Sequence, residues 1–135
     1  MIDKVFVDSN IFIYAVTDDP LKSEVARQSL LSDSEFHLST QVLNEFISVC
    51  QRKKIITNDE IQQSIEGYLK DFQLHLLTDA TIRLAMQLQT RYNLSYWDAL
   101  IIASALEAEC SILYSEDLQH DLVIDNQVTI RTPFL

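Results

Sequence analysis

The stretch Lys4-Val5-Phe6-Val7-Asp8-Ser9-Asn10 decides the fold that we predict for this chain. Its apolar run is typical of a parallel strand that is buried on both faces, and Asp8-Ser9-Asn10 ends that strand. Residues 11–15 then have the pattern of a short helix. This step from a buried strand into a helix is the pattern that the rest of the chain repeats.

Strands and helices are predicted to alternate along the remaining sequence. Pro20 suits a first helical turn, and Ser95 followed by Asp98 resembles a capping box at the start of another helix. Further strands are predicted at 36–38, 74–77, 112–114 and 128–130, and further helices at about 20–32, 40–53, 57–72, 79–92 and 96–109. The alternation predicts an α/β fold, with one domain over residues 1–135 and a central parallel sheet of about five strands flanked by helices.

Composition limits the class of protein. The 135 residues suit one domain, and 47% hydrophobic residues are typical of a globular chain. No apolar run reaches the roughly 18 residues of a membrane span, and the acidic, non-basic N-terminus does not resemble a secretory signal. Cys50 and Cys110 have neither metal-ligand nor redox spacing, so we interpret them as core thiols. A cytoplasmic location is the default expectation.

Charge and glycine content narrow the possible chemistry. Gly67 is the single glycine, which excludes a glycine-rich phosphate loop. The net charge of −10 argues against a protein that only binds nucleic acid, because phosphate contacts favour basic proteins. An acidic chain is compatible with an enzyme that gathers carboxylates around a divalent cation, or with binding of a basic partner segment.

Four carboxylates are predicted to meet at one edge of the sheet. Asp8 ends the first strand and Asp117 follows the fourth, while Glu45 lies in the second turn of one helix and Asp98 in the first turn of another. Ligands bind at the carboxyl ends of the strands in such folds. Taken singly, each acid has an ordinary explanation as a turn, cap or surface residue, but their conjunction at one edge favours a shared site.

Four like charges in one cleft repel each other, and a divalent cation relieves that repulsion. An oxygen-only site suits Mg²⁺ or Mn²⁺, and such a site suits phosphodiester hydrolysis. We predict that Asp8, Asp98 and Asp117 coordinate the metal. Glu45 either joins them or orients the attacking water.

Other polar and aromatic residues are expected to be structural. His37, His75 and His120 are too scattered for a metal cluster. The basic run 52–54 complements a helix C-terminus and has a weaker interpretation as a contact with an RNA backbone. Trp97 is expected in the core or an interface rather than as a platform for base stacking.

These segments resemble the PIN-domain nucleases, and within them the VapC toxins of toxin–antitoxin pairs. The matching stretches are 7–14, 44–46, 94–105 and 113–120. The resemblance implies an endoribonuclease dependent on Mg²⁺ or Mn²⁺, with Asp8, Glu45, Asp98 and Asp117 as its acidic residues. It also implies supporting roles for Asn10 and Ser115.

The resemblance further implies a homodimer that is inhibited by a cognate antitoxin, whose basic side chain enters the acidic cleft. One position departs from the family, since relatives often carry glycine where this chain has Asp121.

Three alternatives remain at this point. An aspartyl-phosphate phosphatase also begins with an apolar strand that ends in Asp, but it needs a second Asp where this chain has Asn10. A non-enzymatic module would use the acids to bind a basic partner. A housekeeping RNA-processing nuclease would keep the chemistry and lack an antitoxin.

Overall fold

Strands and helices alternate for most of the chain in the computed structural model, which describes residues 2–135. Residue 1, which the predicted domain 1–135 includes, lies outside the described residues. The strands are β1 (Lys4–Val7), β2 (Glu35–Ser39), β3 (Gln73–His75), β4 (Ile112–Tyr114), β5 (Val123–Ile124) and β6 (Val128–Arg131). The helices are α1 (Ser9–Val16), α2 (Ser23–Ser29), α3 (Thr40–Arg52), α4 (Asn58–Asp71), α5 (Asp79–Tyr92) and α6 (Tyr96–Glu107).

The six strands form one sheet in the order β3-β2-β1-β4-β6-β5. The chain moves outward from β1 through β2 to β3 and then returns to place β4 on the other side of β1. In β1, Phe6 pairs in parallel with His37 of β2 and with Leu113 of β4. The strand order therefore reverses between β1 and β4, where α/β proteins form a ligand crevice at the carboxyl ends of the strands.

Burial of β1 follows from its central position. Val5, Phe6 and Val7 have no exposed surface. Most of α6 is also buried, from Ala99 to Leu106, as expected for a helix that is apolar on most faces. These two elements form the centre of the core, and Asp8 directly follows β1 while Asp98 lies in the first turn of α6.

The predicted α/β fold with a mostly parallel sheet is confirmed, and the sheet has one strand more than expected. The additional strand, β5, pairs antiparallel with β6. It has two residues, too few for a hydrophobic period to show, and the three-residue turn that joins it to β6 contains Asp125 and Asn126, which both have positive φ.

The prediction of a helix over 20–32 is wrong at both ends. The Asp19 carboxylate accepts hydrogen bonds from the backbone N–H groups of Leu21 and Lys22, at 2.9 and 2.8 Å, and this turn delays the helix until Ser23. The side-chain bonds of Asp19 therefore override the preference of Pro20 for a first helical turn.

The structure also bears on two expectations drawn from composition, the state of the cysteines and the absence of a membrane span. Cys50 and Cys110 are free and buried, which confirms them as core thiols. Within residues 2–135, no helix has the length and apolar character that crossing a membrane requires.

Candidate active site

Asp8 lies where β1 ends and α1 begins, at the reversal of strand order. It caps α1, and its Oδ1 accepts a hydrogen bond of 2.7 Å from the Ser9 backbone N–H. Its Oδ2 accepts a bond of 2.9 Å from the hydroxyl of Ser115, which follows β4. The Asp8 backbone N–H also donates to the Tyr114 carbonyl at 2.9 Å. Both oxygens of a side chain that is only 6% exposed are thus held in one orientation.

Burial sets the protonation of Asp8. Desolvation raises its pKa from 3.8 to about 6, against the hydrogen bonds from Ser115 and Ser9, which lower it. The negative charges of Glu45 and Asp117 raise the pKa further. Asp8 is therefore a carboxylate that the fold places in an unfavourable environment for its own charge.

Asp117 belongs to the loop after β4 and is tied to α1 by Asn10. The Asn10 amide donates to Asp117 Oδ2 at 3.2 Å, and its Oδ1 accepts from the backbone N–H of Glu116 at 3.3 Å. Glu116 in turn accepts a bond from the Tyr14 hydroxyl at 3.0 Å and forms an ion pair with Lys22. This network holds an exposed carboxylate in place beside Asp8.

Glu45 and Asp98 are brought together by the contact between α3 and α6. Gln41, one turn before Glu45, donates from Nε2 to the Trp97 carbonyl at 3.2 Å. The Asp98 backbone N–H donates to Ser95 Oγ at 3.2 Å, so Ser95 caps α6 as predicted. The pKa of Glu45 is raised, first by partial burial and then by the charges of Asp98 and Asp117.

The four predicted carboxylates therefore share one electrostatic environment at one edge of the sheet. Among residues 2–135, no three His, Cys, Asp or Glu side chains are close enough to hold a metal ion between them as they stand. The donor set nevertheless fits a hard divalent cation, because all four groups supply oxygen, and burial followed by mutual repulsion raises the pKa values of Asp8 and Glu45. Coordination by Asp8, Asp98 and Asp117 stays a prediction.

The three histidines lie apart and each has its own partner. His37 contacts Glu35 at 2.6 Å, and His75 contacts Glu107 at 3.2 Å. His120 Nδ1 accepts the backbone N–H of Thr132 at 3.0 Å. These contacts support the structural interpretation of all three.

Asp121, the departure from the family pattern, has a conformational explanation. Its φ is 66°, in the left-handed region where glycine has no steric penalty. Its carboxylate pairs with Arg131, so this acid is engaged outside the cluster of four.

The sequence predicts Trp97 in the core or in an interface, and its exposure of 64% excludes the core. Trp97 lines a cavity together with Glu45 and Gln41. Sequence reasoning also missed Gln41, whose position four residues before Glu45 places both on one face of α3. That spacing was the available signal, but glutamine in a helix has no distinctive pattern.

The pKa of Asp8 predicts how the stability of the metal-free protein depends on pH. The folded state binds the Asp8 proton more tightly than the unfolded state, so the free energy of unfolding falls as pH rises from about 3.8 through about 6. Relative to an Asp8→Asn variant, the wild type should lose about 2 kcal/mol between pH 4.5 and 7.5. Urea denaturation of both proteins in chelator measures this difference. A difference that stays constant over this range would contradict the raised pKa.

The chain resembles a known family in sequence and several solved structures in fold. A family model described as PIN domain matches residues 5–124. No curated protein sequence matches the chain.

The solved structures that resemble the chain have low sequence identity and similar length. A toxin–antitoxin complex from Klebsiella pneumoniae has a TM-score of 0.72 at 18% identity, covering 96% of this chain and 97% of the other. Mycobacterium tuberculosis VapC20, described as a toxin that cleaves the sarcin–ricin loop, has a TM-score of 0.70 at 16% identity, covering 84% and 89%. A DNA-bound VapBC from Salmonella typhimurium has a TM-score of 0.69 at 16% identity, covering 98% and 99%. At these identities the structural likeness establishes the fold.

Proposed function

The chain belongs to the PIN-domain family, and we propose that it is a divalent-metal-dependent endoribonuclease that hydrolyses RNA phosphodiester bonds. The observation that carries the proposal is the Asp8 carboxylate. It is buried at the reversal of strand order, and both of its oxygens are oriented by hydrogen bonds. Glu45 and Asp117 place further negative charge near it. Retaining these charges in one cleft is costly unless a cation offsets them.

The residues of the proposed site have different roles. Asp8, Asp98 and Asp117 would hold Mg²⁺ or Mn²⁺, which when bound activates water and stabilises the leaving oxygen. Ser115 and the Ser9 backbone N–H keep the Asp8 oxygens oriented, and Asn10 keeps Asp117 beside them. These neighbours therefore act as positioning residues.

Glu45 is the candidate for handling the proton of the attacking water. Its raised pKa makes the ionised carboxylate a stronger base than an ordinary surface glutamate. It is half-buried beside the cleft, where it either orients this water or joins the metal ligands. The Gln41 amide ties its helix to the start of α6, so the distance between Glu45 and Asp98 is constrained.

We also propose that the nuclease is the toxin of a toxin–antitoxin pair, acting in the cytoplasm as a homodimer. Two of the structures it resembles are toxin complexes, one of them a toxin–antitoxin complex and another a DNA-bound VapBC. An acidic cleft in a chain of net charge −10 attracts a basic side chain, which can replace the charge of the metal. A cognate antitoxin with such a side chain would block the site directly.

Induced expression in bacteria tests this function. We expect growth arrest accompanied by new RNA ends at a small set of positions, and no effect from Asp98→Asn expressed at the same level. Co-expression of a small neighbouring reading frame should restore growth. Arrest with unchanged RNA ends would contradict the ribonuclease, whereas cleavage without arrest would favour the RNA-processing alternative.

A further inference from the structure

A cavity of about 550 Å³ lies between α3 and the first turn of α6. Its volume falls within the range of about 300–1,000 Å³ that is usual for sites that bind small ligands. Most of its lining residues are polar or charged, and Glu45 is among them. The cavity therefore opens directly beside the proposed acidic site.

Trp97 forms one wall of this cavity and is the single tryptophan of the chain. At 64% exposure it is also the one exposed aromatic residue among residues 2–135. Its carbonyl accepts the hydrogen bond from Gln41, and its ring contacts the Tyr96 ring edge-on at 5.6 Å between centroids. An aromatic ring that contacts a second ring and is largely exposed to solvent is a platform on which a planar group can stack.

Arg52 lines the same cavity at the C-terminal end of α3. It also lines a second cavity, with Lys53 and Asp117, on the other side of the acidic site. No carboxylate of the described chain lies within ion-pair distance of Arg52, although acidic residues outnumber basic ones two to one, 20 against 10. A guanidinium left free in so acidic a protein is available to bind a phosphate.

Resting on the proposed ribonuclease activity, we propose that this cavity is a nucleotide subsite. In it the Trp97 indole stacks on an unpaired RNA base, and the Arg52 guanidinium, at the other end of α3, binds a phosphate further along the strand. Because Glu45 belongs both to the cavity lining and to the proposed acidic site, a nucleotide in the cavity lies next to the bond to be cleaved. The subsite selects single-stranded RNA, because a base held in a duplex cannot present its face to a protein ring.

The mixed lining, which is apolar at Trp97, Leu77 and Val49 and polar elsewhere, suits a nucleotide. Ser48 and Asn44 join Glu45 and Arg52 around the cavity, so a docked hydrophobic segment would leave polar groups without partners. A nucleotide offers what these groups need, since it has an aromatic face, a phosphate and hydrogen-bonding edges. The alternative is that Trp97 contacts a second protein chain, and the experiment below distinguishes this contact from RNA binding.

The experiment uses Trp97 as its own probe. Asp8→Asn protein in Mg²⁺ is titrated with an unstructured single-stranded RNA ten nucleotides long, and separately with the same sequence as a blunt duplex. We expect saturable quenching of tryptophan fluorescence by the single strand and much weaker quenching by the duplex. Because binding is read without cleavage, the result does not depend on whether the nuclease proposal holds.

Variants in the same Asp8→Asn background define the roles, with binding measured by anisotropy of labelled RNA. Trp97→Ala should weaken affinity about 5- to 150-fold, and Trp97→Phe should restore most of it. Arg52→Ala should reduce both the affinity and its dependence on salt concentration, with Arg52→Lys intermediate. Met86→Ala and Arg83→Ala, exposed residues on α5, are the matched controls and should change neither.

Several results would overturn the subsite. Equal quenching by single strand and duplex, or unchanged affinity in Trp97→Ala, excludes base stacking. A Trp97→Ala variant that changes the oligomeric state and leaves RNA affinity intact assigns the ring to a protein interface. If the wild type cleaves RNA but its fluorescence does not respond, the subsite fails while the proposed nuclease stands.

Discussion

Asp8→Asn should lower kcat/KM for RNA cleavage at least about 10³-fold while the protein stays folded. The substitution removes the charge from the most buried of the four acids and keeps its volume. The amide oxygen still accepts the Ser9 backbone N–H, and the Ser115 hydroxyl can rotate to accept from the new amide. Cleavage of a labelled RNA at matched protein concentration measures the loss.

The same variant should be more stable than the wild type in chelator at pH 7.5, by about 1–3 kcal/mol. This gain follows from removal of a buried charge whose pKa burial raises to about 6. Loss of activity with a gain of stability identifies Asp8 as a functional acid. Substitution of a structural acid would instead lower both the activity and the stability of the protein.

Asp98→Asn should produce a similar loss of activity. Asp79→Asn is the matched control, because Asp79 is an exposed acid on α5 whose ion pair with Arg83 lies on the surface. Removing that pair should cost less than about 1 kcal/mol and leave cleavage unchanged. Full activity in both Asp8→Asn and Asp98→Asn would refute the assignment of the site.

Removal of divalent cations is the second change with a large expected effect. Chelation should abolish cleavage, and Mg²⁺ or Mn²⁺ should restore it, because the carboxylates need a cation to offset their charge. Metal binding should also stabilise the folded protein, by about 2.7 kcal/mol at a metal concentration of 100 times Kd. Thermal denaturation over a series of Mn²⁺ concentrations measures this gain.

The stabilisation by Mn²⁺ should be much smaller in Asp8→Asn, whereas Asp79→Asn should respond as the wild type does. This comparison distinguishes binding at the acidic cleft from general effects of a cation on an acidic protein. Cleavage that continues after exhaustive chelation, or equal stabilisation of both variants, would contradict a metal site at Asp8.

The local elements could be predicted from the sequence because their signals are local. The apolar run before Asp8 predicts a buried strand, and the structure has β1 at Lys4–Val7. The predicted helix 79–92 and strand 112–114 have the observed bounds. Periodicity failed where it had too few residues, as in β5, or where one side chain redirected the backbone, as Asp19 does before α2.

The identities of the candidate acids were also accessible from the sequence. Asp8 and Asp117 follow apolar strands, and parallel strands bring their carboxyl ends to one edge. Asp98 follows a capping serine, and Glu45 depended most on the family pattern. What the sequence determined is therefore most of the elements, the fold class and the residues that can meet at that edge.

The tertiary structure decided which of these residues touch, and how. The pairing of β1 with β4 brings Ser115 within 2.9 Å of Asp8 across 107 residues of sequence, and it buries the carboxylate whose pKa is raised. Trp97 at the start of α6 is exposed, although the same helix is buried from Ala99 to Leu106. Periodicity describes a chain one element at a time, whereas burial and charge depend on neighbours that are distant in sequence and meet only in the fold.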